Sequence, residues 1–155
     1  MPANQDHALD VIAIGRSSVD LYGQQIGSRL EDIATFSKSV GGCPANIAVG
    51  TARLGLKSGL ITGVGAEQMG RFIIEQCARE GVATQGIKID KERLTALVLL
   101  AVEDEGVSPM IFYRPDCADM AITEDDVDEA FVRSSKSVLV SGTHFSRPNT
   151  AAAQL

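Results

Sequence analysis

A glycine pair leads into a predicted helix in the stretch Gly41-Gly42-Cys43-Pro44-Ala45-Asn46-Ile47-Ala48. Neither Gly41 nor Gly42 has a Cβ atom, so a ligand can come close to the bare backbone there. Pro44 has the fixed φ angle that suits the start of a helix. The side chain of Asn46 then lies in the first helical turn, where it can face the same space as the free backbone N–H groups. This pattern predicts a site for a polar, oxygen-rich small molecule.

Short apolar runs alternate with amphipathic segments along the chain, which predicts a parallel α/β sheet with helices on both faces. The predicted strands of this sheet are 11–15, 60–64 and 137–141, with an edge strand at 86–90. The predicted helices are 44–54, 67–80 and 124–132, and a short one begins at Pro148. Gly55 and Gly81 end the first two helices, and Thr123 caps the third.

The remaining segments predict a small β lid beside the sheet. Residues 16–40 mix polar and apolar side chains, which suits exposed antiparallel strands. Residues 95–103 and 109–114 form two more candidate strands, joined by an acidic turn that ends at Gly106. We therefore expect one domain over residues 1–155, with lid segments at about 16–40 and 85–115.

The composition excludes several classes of function. The 155 residues suit a single domain, and a net charge of −6 argues against nucleic-acid binding, which needs clustered basic residues. The longest apolar run, Ala96–Val102, is far shorter than the ~20 residues that span a bilayer. Cys43, Cys77 and Cys117 are too widely spaced for a zinc site or a disulfide framework. We therefore expect a cytoplasmic protein with no metal site, no membrane partner and reduced thiols.

Residues 63–72 resemble two kinds of phosphate-binding loop, but both motifs are incomplete. Residues 65–72 have the glycine spacing of a Walker A loop, but Arg71 stands where a lysine is required. Residues 63–68 begin like a dinucleotide loop, but Gln68 stands at the place of the third glycine. For Gly63, Gly65 and Gly70, close packing in a strand-to-helix turn and a ligand role both stay open.

The glycine pair and its continuation resemble the first signature of the PfkB (ribokinase-like) sugar kinases. The pattern runs from Gly41 to Gly65 with each constrained position filled. An aspartate soon after the first strand, Asp20, and a β lid before the glycine pair also follow the order of that family. The resemblance covers essentially the whole chain and implies a ribokinase-like fold. It is strongest to members that act on an acid-bearing sugar in inositol catabolism, in the runs 15–22, 41–48 and 112–119.

The resemblance implies a role in sugar binding for four residues near the glycine pair. Asp20 would accept hydrogen bonds from sugar hydroxyls, because an ionised carboxylate is only an acceptor. Gly41 and Gly42 would offer backbone N–H groups, and Asn46 would both donate and accept. The alternatives also stay open: Asp20 as a solvated residue at a strand end, and Asn46 as a helix-turn residue bonded to local backbone.

Two further residues would bind the sugar from the lid. Arg114 resembles the arginine of keto-acid sugar kinases, and a planar guanidinium can bind a carboxylate with two hydrogen bonds. Phe112 lies two residues earlier, so it shares the strand face and would pack against the sugar. The alternative for Arg114 is a surface arginine on a flap. His144 follows the last strand and could approach the same cleft.

The second signature of the family, Gly-Ala-Gly-Asp, does not occur in the chain. In the family its aspartate is the catalytic base and its glycines form an anion hole. The chain is also roughly half the usual family length, and one face of the strand at 137–141 would lack cover. We therefore expect a truncated, N-terminal part of a kinase, inactive alone, without catalytic residues or the ATP-binding side. The intact enzyme would use ATP and Mg²⁺, and neither is expected to bind tightly to this chain.

Other functions stay open beside this hypothesis. Within the family they are ribokinase, fructokinase and 2-keto-3-deoxygluconate kinase. Outside it they are a non-catalytic sugar-binding module and a nucleotide-binding Rossmann protein. The family resemblance also implies a homodimer through the lid strands.

Overall fold

Eight strands form two four-stranded sheets in the computed structural model, which describes residues 7–102 and 109–155. The main sheet is parallel, in the order β5-β4-β1-β8. The lid sheet has the order β3-β2-β6-β7. The strands are β1 (Val11–Ile14), β2 (Ser18–Gly23), β3 (Phe36–Gly41), β4 (Ser58–Gly65), β5 (Ile87–Asp90), β6 (Leu97–Leu100), β7 (Met110–Tyr113) and β8 (Val138–Val140). The predicted α/β fold with a β lid is confirmed.

In the described residues, four α-helices accompany the sheets: α1 (Cys43–Arg53), α2 (Gln68–Arg79), α3 (Glu129–Arg133) and α4 (Pro148–Ala152). Gly55 and Gly81 follow α1 and α2 with φ angles of 91° and 81°, which glycine adopts without strain, so both predicted helix ends are confirmed. Among residues 7–102 and 109–155, no helix combines the length and apolar character that crossing a bilayer requires.

The main sheet is covered by helices on both faces, which explains the buried, mostly apolar character of its central strands β1 and β4. Successive side chains of a strand point to opposite faces. On one face, Ala13 and Leu60 pack against α1 and α2. On the other face, Ile12 and Ile61 pack against Phe131 of α3. The predicted two-sided helical cover is therefore present.

β8 is one of the two edge strands of the main sheet in the described chain. Val138 and Val140 pair with Ile12 and Ile14, so they lie on the same face as α3. Both valines are 43% exposed, because α3 covers only the part of this face that lies over β1 and β4. The expectation that one face of this strand lacks cover agrees with these exposures.

The predicted helix at 124–132 is wrong as a single element. A 3-10 turn spans Glu124–Asp126, the backbone at Val127 is extended, and α3 begins only at Glu129. Asp128 causes the break, because its side chain accepts a hydrogen bond from the N–H of Ala130 at 2.9 Å and so caps a new helix.

One boundary of the lid also differs from the prediction. β5 pairs with β4 in the main sheet, so the predicted lid segment 85–115 contains a strand of the main sheet. The second lid segment therefore begins after β5, and its strands are β6 and β7. The acidic turn predicted at residues 104–106 lies outside the described residues.

Candidate functional site

The carboxyl ends of β1, β4 and β8 lie at one edge of the parallel sheet. From β1 the chain continues to β4 on one side, and later returns to β8 on the other side. Such a reversal of strand order opens a crevice at the carboxyl edge, where α/β proteins bind ligands. Gly15 lies at this point with φ of 143°, and a Cβ on it would be 2.8 Å from atoms of both Pro44 and Ser141. Close packing at Gly15 thus brings the start of α1 to the crevice.

The start of α1 depends on Gly42. This residue has φ of 96°, and a Cβ on it would be 2.5 Å from the carbonyl oxygen of Arg16. Among the described residues, no side chain caps the first N–H groups of α1. Asn46 is exposed in the first turn, and its backbone N–H donates to the carbonyl of Gly42 at 2.9 Å. The helix start therefore presents N–H groups and an amide side chain together.

Asp20 lies directly against Gly41, on the neighbouring strand of the lid. In the antiparallel pair of β2 and β3, Ser18 is opposite Gly41 and Asp20 is opposite Ser39. An ideal Cβ on Gly41 would be 2.1 Å from Asp20 Cγ and from both carboxylate oxygens. Ser18 Oγ donates to Asp20 Oδ1 at 2.8 Å, which orients the carboxylate. The structure thus brings together the acidic residue and the glycine pair.

Phe112 shares a face of the lid with Asp20. The pairing register aligns Asp20 with Val98, and Val98 with Phe112, in one row across three strands. Residues in such a row point to the same face, and two strand spacings separate its ends by about 10 Å. Val98 is buried, whereas Phe112 is 48% exposed. One face of the lid therefore carries a hydrogen-bond acceptor and an accessible aromatic ring.

The guanidinium of Arg114 is engaged inside the protein. Its Nε and Nη2 donate to Asp119 Oδ2 at 3.0 and 2.5 Å, and Nη2 also lies 2.9 Å from the sulfur of Met120. The side chain of Arg114 is only 14% exposed, and that of Asp119 is fully buried. Arg114 is therefore not a surface residue on a flap, and its predicted role toward a substrate carboxylate stays a prediction.

His144 lies beside the same buried carboxylate, at the carboxyl end of β8. Its Nε2 atom is 3.8 Å from Asp119 Oδ2, and its side chain is 1% exposed. In the described chain, His144 Nε2 and Asp119 Oδ1 are both buried without a hydrogen-bond partner. No role was predicted for Asp119. Its neighbours Arg114 and His144 come from different parts of the chain, and no local sequence pattern indicates such an arrangement.

Arg16 is a second residue that sequence reasoning did not assign. It lies two residues after the end of β1, and its guanidinium carbon is 5.8 Å from the centroid of the Phe112 ring. Its Nε atom is buried and has no hydrogen-bond partner among residues 7–102 and 109–155. The signal available in the sequence was its position, immediately after the first strand of a predicted parallel sheet.

The glycines at 63–70 are explained by packing. A Cβ on Gly63 would be 2.4 Å from the carbonyl oxygen of Ala118, and one on Gly65 would be 2.7 Å from that of Arg93. A Cβ on Gly70 would be 2.0 Å from the carbonyl oxygen of Gly65. Of the two explanations considered, these distances favour the tight strand-to-helix turn.

Glu67 connects α2 to the start of the lid strand β6. Its carboxylate caps α2 through the N–H groups of Met69 and Gly70, at 2.6 and 3.3 Å. It also accepts from the N–H of Thr95 at 3.1 Å and from the Thr95 hydroxyl. Burial raises the pKa of Glu67, but the hydrogen bonds from Thr95, Met69 and Gly70 outweigh burial and lower the pKa below its ordinary value.

No metal centre is formed by the residues that the structure describes. Among them, no group of three or more histidine, cysteine, aspartate or glutamate side chains could hold an ion.

The fold is that of an α/β protein in which a β lid adjoins the start of α1 at the carboxyl edge of a parallel sheet. The profile of the pfkB family carbohydrate kinases matches residues 8–154, and the chain belongs to this family. This result confirms the family that the glycine pattern indicated.

The curated relatives include kinases of one named activity. The chain is 40% identical over 144 residues to the 5-dehydro-2-deoxygluconokinase of Geobacillus kaustophilus, which covers 92% of this chain and 43% of the relative. It is 38% identical over 141 residues to the enzyme of the same name from Bacillus subtilis, covering 90% of this chain and 43% of the relative. The chain thus spans less than half the length of these relatives.

Solved structures show the same architecture. A sugar kinase from Pyrococcus horikoshii matches with a TM-score of 0.84 and 31% identity, covering 92% of this chain and 48% of that one. The Halothermothrix orenii fructokinase matches with a TM-score of 0.81 and 32% identity, covering 94% of this chain and 51% of that one. The Pyrococcus horikoshii kinase has also been solved in complex with ATP.

Proposed function

We propose that this chain is the sugar-binding part of an ATP-dependent kinase that phosphorylates 5-dehydro-2-deoxy-D-gluconate in inositol catabolism. The name of this substrate comes from the curated relatives, which are about 40% identical to the chain. One observation carries the proposal: the carboxylate of Asp20 lies against Gly41 at the start of α1. Acceptor and donor groups for a polyol are thereby brought to one place.

Each site residue has a chemical role in this proposal. Asp20 accepts hydrogen bonds from sugar hydroxyls, while the N–H groups of Gly41 and Gly42 and the amide of Asn46 bind sugar oxygens. Phe112 covers the apolar side of the sugar chain. These five residues position the sugar and take no part in proton transfer.

Arg114 completes the set through its remaining donors. Its bonds to Asp119 and Met120 use Nε and Nη2. A guanidinium has five N–H groups, so Nη1 is left to bind the carboxylate of the sugar acid. Asp119 thus orients the guanidinium and leaves one edge of it for the substrate.

Phosphoryl transfer requires parts that this chain does not carry. In the whole kinase, ATP with Mg²⁺ supplies the γ-phosphate. The sequence contains no Gly-Ala-Gly-Asp signature, which supplies the catalytic base in the family. We therefore expect the 155-residue chain to bind the sugar acid without phosphorylating it. A coupled ATPase assay measures this directly, and turnover by the chain alone would contradict the expectation.

Calorimetry with the sugar acid tests the binding site. Asp20→Asn keeps the shape of the side chain and removes its charge, so affinity should fall by about tenfold or more. Asp125→Asn removes the same charge from an exposed residue and should leave affinity unchanged. Equal affinities of the Asp20→Asn variant and the wild type would contradict the proposal.

A kinase for a neutral sugar is the second candidate, because a fructokinase is among the similar structures. The two candidates differ in one measurable property. A sugar-acid kinase prefers the acid over an analogue in which the carboxylate is replaced by a hydroxymethyl group, whereas a fructokinase prefers the neutral sugar.

A homodimer through the lid is supported by the exposure of β7. Its four residues, Met110–Tyr113, are between 44% and 54% exposed, and the strand is an edge of the lid sheet. Apolar edge strands pair readily with other strands. Sedimentation equilibrium of the chain should show a dimer, and a monomer at all concentrations would contradict this part of the proposal.

A further inference from the structure

We propose that Arg16 is a second specificity-determining residue, which binds the carboxylate of the sugar acid together with Arg114, an inference that rests on the function proposed above. Arg16 follows the carboxyl end of β1 in the main sheet, and its guanidinium faces Phe112 of the lid. The inference is carried by its position, by its contact with Phe112 and by an unsatisfied donor atom.

The backbone of Arg16 lies beside the start of α1. A Cβ on Gly42 would be 2.5 Å from the Arg16 carbonyl oxygen, so the two segments are in contact. The same residue follows β1 at the carboxyl edge of the sheet, where the strand order reverses. Arg16 therefore originates at the crevice that the glycine pair borders.

The side chain of Arg16 extends toward the lid. Its guanidinium lies 5.8 Å from the centroid of the Phe112 ring, within the range of a cation–π contact. Phe112 shares its lid face with Asp20, about two strand spacings away. A sugar acid bound with its hydroxyls at Asp20 would thus have its other end directed along the lid toward Arg16.

The donors of Arg16 are less occupied than those of Arg114. Within the described residues, the buried Nε of Arg16 has no hydrogen-bond partner, whereas Nε and Nη2 of Arg114 both donate to Asp119. A buried donor without an acceptor is unfavourable, and a bound carboxylate would satisfy it. Arg16 therefore gains more from an anionic ligand than Arg114 does.

A guanidinium suits a carboxylate better than it suits a hydroxyl. Its parallel N–H groups match the two oxygens of a carboxylate, and each bond is strengthened by the opposite charges. Contact with the ring of Phe112 restricts the orientation of the guanidinium, so less conformational freedom is lost on binding. Arg16 is thus expected to separate acids from neutral sugars.

Calorimetry with two ligands tests the inference on the wild-type chain, Arg16→Gln and Arg71→Gln. The ligands are 5-dehydro-2-deoxy-D-gluconate and its analogue with a hydroxymethyl group in place of the carboxylate. Arg16→Gln should weaken binding of the acid by about tenfold to a hundredfold and change binding of the neutral analogue less than about twofold. Arg71 is exposed on α2, so Arg71→Gln removes the same charge and should change neither affinity.

Three results would overturn the inference, and they differ in whether the proposed function fails with it. If Arg16→Gln keeps the preference for the acid, Arg16 does not bind the carboxylate and the proposed function stands. If Arg16→Gln lowers the affinity for both ligands equally, Arg16 acts on the shape of the site and not on the carboxylate. The thermal midpoint of the Arg16→Gln variant then reports any loss of folding. If the wild type itself does not prefer the acid, the proposed sugar-acid function fails together with the inference.

Discussion

The carboxylate of Asp20 occupies the space that a Cβ atom on residue 41 would need. Asp20 Cγ and both carboxylate oxygens lie 2.1 Å from that position. Gly41 therefore serves packing and ligand access at once, because the absent side chain lets an acidic group lie beside bare backbone. The relationship links the lid strand β2 to the last residue of β3, two positions before α1.

Gly41→Ala should displace the Asp20 carboxylate and weaken sugar binding by about tenfold or more, because the acceptor moves away from the helix start. Calorimetry with the sugar acid measures this effect. Gly50→Ala in α1 is the matched control, since a Cβ there meets no atom within 4 Å. This control should keep its affinity and gain up to about 1 kcal/mol of stability. Unchanged affinity of the Gly41→Ala variant would contradict the account.

Arg114→Ala should destabilise the fold by about 3–5 kcal/mol, because it leaves the carboxylate of Asp119 buried without its ion-pair partner. Arg133→Ala removes an arginine that pairs with Glu129 on the surface of α3, and it should cost less than about 0.5 kcal/mol. Urea denaturation of both variants gives the comparison. Similar small losses for the two would show that the Arg114–Asp119 pair contributes little to stability.

Glu67→Gln should destabilise the protein most near neutral pH. The hydrogen bonds to the Glu67 carboxylate lower its pKa in the folded state. Its contribution is therefore fully present above the unfolded pKa of about 4.3 and is lost as the pH falls through the folded value. Thermal midpoints of the variant and the wild type, measured from pH 7 to pH 3, should converge at the acidic end. A difference that grows toward acidic pH would contradict this sign.

Cys43 should be the first cysteine to react with iodoacetamide at pH 8, and bound sugar acid should slow its reaction. Cys43 is exposed at the first position of α1, next to the glycine pair. Burial raises the pKa of Cys77 to about 11 and also raises that of Cys117, so both thiols should react slowly. Peptide mass spectrometry measures each rate. If saturating ligand leaves the Cys43 rate unchanged, the sugar does not bind at the start of α1.

The secondary structure could be predicted wherever one local signal was sufficient. β1 and β4 are continuous apolar runs because both sheet faces are covered, and Gly55 and Gly81 mark helix ends through their positive φ angles. The helix at 124–132 could not be predicted correctly, because Asp126 accepts from the N–H of Thr123 in one turn while Asp128 caps a second helix. Asp126 pairs with Lys88, which lies 38 positions earlier in the chain, and no local pattern reports such a partner.

The candidate site could be predicted only in part. The proximity of Asp20 and Gly41 could be predicted, because both residues match the family pattern and lie on strands that are neighbours in sequence. The Arg114–Asp119 pair and the nearby His144 depend on how two 3-10 turns, Ala118–Ala121 and Gly142–Ser146, meet at the sheet edge. The role of Arg16 likewise depends on its contact with Phe112, which lies on the lid strand β7. Such contacts between distant segments are set by tertiary packing.

The most direct test is a titration of the isotopically labelled chain with 5-dehydro-2-deoxy-D-gluconate, followed by amide NMR shifts. The account predicts the largest shifts at Asp20, Gly41, Gly42 and Asn46, around the start of α1. Shifts confined to the exposed face of β8 near Val138, or no saturable shifts at all, would contradict it.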